Sequence, residues 1–85
     1  MKQIEEKIYE RIVQFLGEEK REALTGEESL LEDLDFDSIQ IIELFSEIEE
    51  QFGIEFKDYE TLLEQLDCMT GFIEYIAELI AKEKQ

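Results

Sequence analysis

The chain has 85 residues, 44% of them hydrophobic and 11% aromatic, enough for one domain with one small core and too much for wholesale disorder despite 38% charge. Aspartate and glutamate number 24 against 8 lysines and arginines, a net charge of −16 that repels phosphate backbones and anionic membranes and attracts proteins with basic patches. No histidine and a single cysteine, Cys68, exclude Ser/His/Asp and Cys/His nucleophilic sites, histidine-based zinc sites and an internal disulfide framework.

The four glycines stand alone at 17, 26, 53 and 71, so no glycine-rich phosphate loop exists. A non-catalytic protein is expected. No apolar run approaches the eighteen or so residues of a membrane span. The opening MKQIEEKIYERIVQF alternates charged and apolar residues, unlike a signal peptide. These features, with a lone thiol, fit a cytoplasmic protein.

In chain order, Ile4, Ile8, Ile12, Phe15 and Leu16 recur at helical spacing and predict a first helix from about Lys2 to Leu16, ended by Gly17. A long loop of about twenty residues follows, a length that usually carries function. Leu30, Leu31, Leu34 and Phe36 are expected to pin it to the core. A second helix starts at Asp37-Ser38, either of which is a good N-cap, and ends at Gly53 in a left-handed C-cap. Its inner face is read as Ile42, Phe45, Ile48 and Phe52, with Leu44 alongside, which leaves Ile39 and Ile41 facing outward beside Ser38. A short third helix runs from about Asp58 to Gln65. Asp67 or Cys68 then caps a last helix from Met69 to about Lys82, with Met69, Phe72, Ile73, Ile76, Leu79 and Ile80 inside. The expected fold is all-α: a single domain over 1–85, a small bundle of three long helices and one short, with the long loop between the first two helices.

The stretch LEDLDFDSIQIIELF (31–45) asks for a function. Asp33, Asp35 and Asp37 have the spacing of the first ligands of a calcium loop, but the glycine and the bidentate glutamate such a loop needs are replaced by Ser38 and Leu44, so no metal site is expected. Ser38 is either an ordinary cap residue beside Asp37 or an attachment point. It ends a long loop at a helix N-terminus, where the partial positive charge favours a bound phosphate. Asp37 precedes it, which suits metal-assisted transfer of a phosphate-bearing group. Glu43, Glu47, Glu49 and Glu50 follow on the helix and suit basic partners.

The run LDFDSIQIIELFSEIEEQFGIEF resembles the prosthetic-group region of acyl carrier proteins, in which an Asp-Ser-Leu or Asp-Ser-Ile triplet opens the second helix. Here the triplet is Asp37-Ser38-Ile39. An acidic second helix ending in Phe52 and a last helix with Tyr75-Ile76 continue the likeness over essentially the whole chain. The resemblance implies a covalent 4′-phosphopantetheine on Ser38, supplied from coenzyme A by a phosphopantetheinyl transferase. It also implies acyl groups held as thioesters for enzymes of fatty-acid, polyketide or related biosynthesis. The expected partners are acyl-transferring or ligating and condensing enzymes with basic patches, which meet Ile39, Ile41, Glu43, Glu47, Glu49 and Glu50. Nucleic acid and membrane are not expected, and the chain is expected to be a monomer. Two alternatives stay open: an aminoacyl or peptidyl carrier, and an acidic interaction bundle without a prosthetic group. The sequence departs from the family pattern at Asp35, where glycine is usual, at Lys57, near a usual proline, and in a slightly longer stretch between Phe52 and Tyr75. These departures point to a specialised carrier.

Overall fold

In the computed structural model, which describes residues 2–83, the first helix, α1 (Lys2–Leu16), buries Ile8, Ile12 and Val13 and half-buries Ile4, Phe15 and Leu16. Gly17 ends it at φ 103°, a conformation that side chains rarely adopt. The second helix, α2 (Ser38–Phe52), stops at Gly53 with φ 66° and ψ 38°, the left-handed cap its sequence predicts. The third, α3 (Tyr59–Glu64), is capped by Asp58, whose carboxylate accepts from the Thr61 amide at 3.1 Å and the Thr61 hydroxyl at 2.6 Å. A 3-10 turn (Gln65–Asp67) leads into α4 (Met69–Glu83). Among the described residues no strand forms, and no helix is long and apolar enough to cross a membrane.

The core lies where α1, α2 and α4 meet. Phe45 is its centre, with Phe72 stacked 5.9 Å away and Phe56 edge-on at 5.9 Å. Such pairs add about 0.5–1.5 kcal/mol each beyond the area they bury. On α4, Met69, Phe72, Ile73, Ile76 and Ile80 face inward as expected. Ala77 joins them, and Leu79 is half-buried.

The α1–α2 connection is more structured than its sequence suggests. Residues Glu18–Ala23 form a 3-10 helix. Arg21 fastens it, donating to both Glu10 oxygens on α1 at 2.6 Å and to both Glu18 oxygens at 2.8 and 2.9 Å, with its guanidinium over the Tyr9 ring. These charge-assisted bonds hold the Glu10 and Glu18 carboxyls below their usual pKa. Further on, Leu30 is fully buried and Phe36 nearly so. The Leu30 amide donates to the Leu66 carbonyl at 2.9 Å, and Phe36 meets Phe15 edge-on at 6.0 Å. Leu34 is half-buried. Leu31 does not pin the loop: it is exposed and turned toward α2 and α3.

The loop also caps α4. The Met69 amide donates to the Glu28 carbonyl and the Thr70 amide to the Gly26 carbonyl, both at 2.8 Å. These backbone acceptors serve the orphan N–H groups of the first turn. Cys68 holds the extended cap position, its carbonyl accepting from the Phe72 amide and its half-buried thiol donating to the Gly26 carbonyl at 3.5 Å.

The inner face of α2 keeps Leu44, Phe45, Ile48 and Phe52 as the sequence reading has it and differs at one position, where Ile41 takes the place of Ile42. Ile41, Leu44, Phe45, Ile48 and Phe52 are buried, whereas Ile42 is 60% exposed. Ile41, expected outside, is 2% exposed. Both isoleucines lie one turn before Phe45, so spacing to Phe45 does not separate them. Leu44 and Ile48 do, since 41, 44, 45, 48 and 52 make one continuous stripe at 3.6 residues per turn.

Candidate functional site

Three aspartates with alternating neighbours shape the approach to α2. Asp33 closes a turn: its carboxylate accepts from the Ser29 amide at 2.8 Å, while its own amide donates to the Ser29 carbonyl at 2.9 Å. Asp35 has φ 58°, and among the described residues it is the one non-glycine with positive φ. It therefore takes the left-handed conformation that glycine would otherwise supply. Aspartate is among the residues that tolerate this conformation best. The departure at Asp35 leaves the turn intact, and Phe36 beyond it is buried.

Asp37 is the N-cap of α2. Its Oδ1 accepts from the Gln40 amide at 2.8 Å, and Gln40 Oε1 accepts from the Asp37 amide at 3.1 Å, a reciprocal capping box. The capping duty thus falls to Asp37, and Ser38, the first residue of α2, is exposed with its hydroxyl outside the cap. Leu44, at the position where a calcium loop needs its bidentate glutamate, is a core residue.

Beside Ser38 lies a cavity of about 500 Å³ between α2 and α3. Its walls are Leu31, Ile41, Ile42, Phe45, Tyr59 and Leu63, with Ser38 at the mouth. Among the described residues the large exposed hydrophobic side chains are Leu31, Ile39, Ile42, Tyr59 and Leu63. Four of these line the cavity, and the fifth, Ile39 at 68% exposure, adjoins Ser38. The described surface gathers its large exposed apolar side chains in one place, which makes that place the candidate binding site. Leu31, Ile42, Tyr59 and Leu63 escaped the sequence reading. The spacing of Tyr59 and Leu63, four residues apart on a short helix, was the available signal.

The acidic residues of α2 divide into two kinds. Glu43 and Glu50 are exposed. Glu47 pairs with Arg11 of α1 at 3.5 Å, and Glu49 Oε2 accepts from the Phe56 amide at 2.7 Å. Ile39 faces solvent as expected. Ile41 does not stand on this surface, because the core stripe claims it, and Ile42 occupies the outward position instead.

The model of the family described as the phosphopantetheine attachment site matches residues 6–76. An acyl carrier protein of Rubrobacter xylanophilus is 37% identical over 76 residues, 89% of this chain and 90% of that one. One from Buchnera aphidicola is 39% identical over 82 residues, 94% of this chain and 99% of that one. The chain belongs to the acyl carrier protein family. The fold agrees: the solution structure of a candidate acyl carrier protein from Anaplasma phagocytophilum superposes with a TM-score of 0.69 at 26% identity, covering 88% of this chain and 85% of that one. Membership brings a covalently attached 4′-phosphopantetheine. Acyl carrier proteins generally act as non-catalytic carriers that meet a phosphopantetheinyl transferase and acyl-handling enzymes. The residues present suit the group: an exposed hydroxyl relieved of capping, at the N-terminus of a fifteen-residue helix, beside an apolar cavity.

Proposed function

We propose that Ser38 carries the 4′-phosphopantetheine arm and that this acyl carrier shelters an aliphatic acyl chain in the α2–α3 cavity. The observation that carries the reading is the meeting of the exposed Ser38 with the one concentration of exposed apolar side chains on the described surface. When attached, the arm supplies a terminal thiol that holds acyl groups as thioesters. The chain itself does four things. Ser38 Oγ would form the phosphodiester, giving up its proton as the pyrophosphate bond of coenzyme A breaks and adenosine 3′,5′-bisphosphate leaves. Asp37 keeps the helix end ordered, whether or not that oxygen is substituted. The N-terminus of α2 favours the phosphodiester charge. The cavity walls exclude water from the chain, at roughly 0.8 kcal/mol per buried methylene.

The partner face is Ile39 and Ile42 with Glu43, Glu47 and Glu50, a mixed apolar and acidic surface that suits enzymes with basic patches and gives fast, salt-sensitive encounters. Carriage between enzymes works by raising local concentration. The chain acts as one carrier domain over 1–85, a cytoplasmic monomer serving fatty-acid, polyketide or related biosynthesis. An aliphatic cargo fits better than an aminoacyl one, because an ammonium or amide buried against Leu31, Ile42, Phe45 and Leu63 would lack partners.

Mass spectrometry after incubation with coenzyme A and a phosphopantetheinyl transferase tests the attachment. The wild type gains one phosphopantetheine and Ser38→Ala gains none. Modification of the Ser38→Ala chain, or an unmodified wild type with several transferases, overturns the assignment. Loading with octanoyl and with alanyl arms tests the cargo: the first raises the melting temperature and the second does not.

A further inference from the structure

The α3 wall of the cavity is the lightly held one. Among the described residues α3 buries only Leu62, while Tyr59 and Leu63 stand exposed at the cavity mouth. This helix follows α2 through the connection 53–58, where the Ile54 amide donates to the Glu49 carbonyl at 3.1 Å. That connection is tied back to α2 by one side chain, since Glu49 Oε2 accepts from the Phe56 amide across seven residues at 2.7 Å. The Phe56 ring is buried edge-on to Phe45, and the Tyr59 ring lies 5.8 Å from Phe45, tilted by 33°. The Tyr59 hydroxyl sits near the same carboxylate: burial first, then the charges of Glu49 and Glu55, push its pKa up. Phe45 and Tyr59 both line the cavity, and Phe56 packs against Phe45, so the Glu49–Phe56 bond is one ring contact away from its walls.

We propose that Glu49 is a specificity-determining positioning residue, which by holding the Phe56 amide sets the separation of α3 from α2 and so the acyl chains the cavity shelters. This rests on the proposal that the cavity takes the cargo of the Ser38 arm. It gives Glu49 a different task from its acidic neighbours. Glu43 and Glu50 act on partners by charge, whereas Glu49 acts on cargo by reach and by its acceptor oxygen. Charge and reach separate cleanly by substitution. Glu49→Gln removes the charge and keeps an oxygen at the same reach. Glu49→Asp keeps the charge and withdraws the oxygen by one methylene.

The test loads wild type, Glu49→Gln, Glu49→Asp and Glu49→Ala from acetyl-, octanoyl- and dodecanoyl-coenzyme A with a phosphopantetheinyl transferase. It reads the mass of each product and the gain in melting temperature of the long-chain forms over the acetyl form. The expected result is a gain in wild type kept by Glu49→Gln and mostly lost in Glu49→Asp and Glu49→Ala. Hydrogen exchange of the Phe56 amide in the unloaded chains should follow the same order, slow in the first two and fast in the others. This second reading covers a variant too unstable to load. Equal gains in all four chains, or a loss in Glu49→Gln matching that in Glu49→Asp, overturns the proposal. A wild type that gains mass but no stability with longer chains overturns the cargo reading of the cavity and this proposal with it, while leaving attachment at Ser38 standing. A wild type that takes no arm removes all three.

Discussion

The Thr70 amide donates to the Gly26 carbonyl at 2.8 Å, joining the α1–α2 loop to the first turn of α4. The two residues approach so closely that a Cβ on Gly26 would collide with the Thr70 hydroxyl, and Gly26 has φ 95°. Gly26→Ala therefore carries both a steric and a backbone penalty, about 1–3 kcal/mol in all. Chemical denaturation should show that loss, and hydrogen exchange should quicken at Met69 and Thr70, whose amides the loop accepts. Adding Thr70→Gly should return only the steric part, because the backbone strain at position 26 remains.

Asp37 and Ser38 should separate stability from attachment. Ser38→Ala is expected to leave the denaturation midpoint close to wild type, since the capping box belongs to Asp37 and Gln40. Asp37→Ala removes an N-cap and should cost about 1 kcal/mol. If Ser38→Ala proves the more destabilising of the two, the hydroxyl has a structural task that the capping geometry does not contain.

Glu28 makes part of the stability depend on pH. Burial pushes its carboxyl up. Amide donors of Thr25, Glu28 and Gly26, with bonds of 2.7 Å from Thr25 and 2.8 Å from Gly26, outweigh that and hold its pKa below the ordinary glutamate value of 4.5. A carboxyl whose folded pKa is depressed stabilises the fold fully above its unfolded value, and that contribution is lost as pH falls through the folded value. Glu28→Gln should thus be less stable than wild type at neutral pH. The difference in unfolding free energy should shrink as the pH drops below the ordinary glutamate value of 4.5 and through the lower folded value. A difference that stays constant from neutral to acid would show that the Glu28 charge does not matter to the loop.

Glu43 and Glu50 are exposed, whereas Glu47 is paired with Arg11. Reversing Glu43 and Glu50 to lysine should leave the fold alone and slow loading by a transferase with a basic docking face. The slowing, roughly tenfold or less at low ionic strength, should fade in high salt as the Debye length falls to about 3 Å at 1 M. Loading rates from stopped assays across a salt series check this. A deficit unchanged by salt would point to lost contact geometry instead of lost attraction.

Much of this protein is legible from the chain alone because its signals are local. The 3.6-residue stripes of α1 and α4, the glycines that end α1 and α2, and the Asp-Ser pair opening α2 depend on neighbours a few residues apart, and all stand where the sequence puts them. Tertiary structure decided what depends on distant partners. Arg21 turns part of the loop helical by reaching Glu10, a carboxylate on another element. Asp35 adopts a positive φ in the turn that leads to the buried Phe36. Ile41 and Ile42 differ by one position and by about 100° around the helix. Either one is apolar enough for the core, and it is the stripe of Leu44, Phe45, Ile48 and Phe52, turned toward α1 and α4, that takes Ile41 with it. That same rotation leaves Ile42 to meet Tyr59 and Leu63 across the cavity beside Ser38, and a cavity between two helices has no image in the sequence of either.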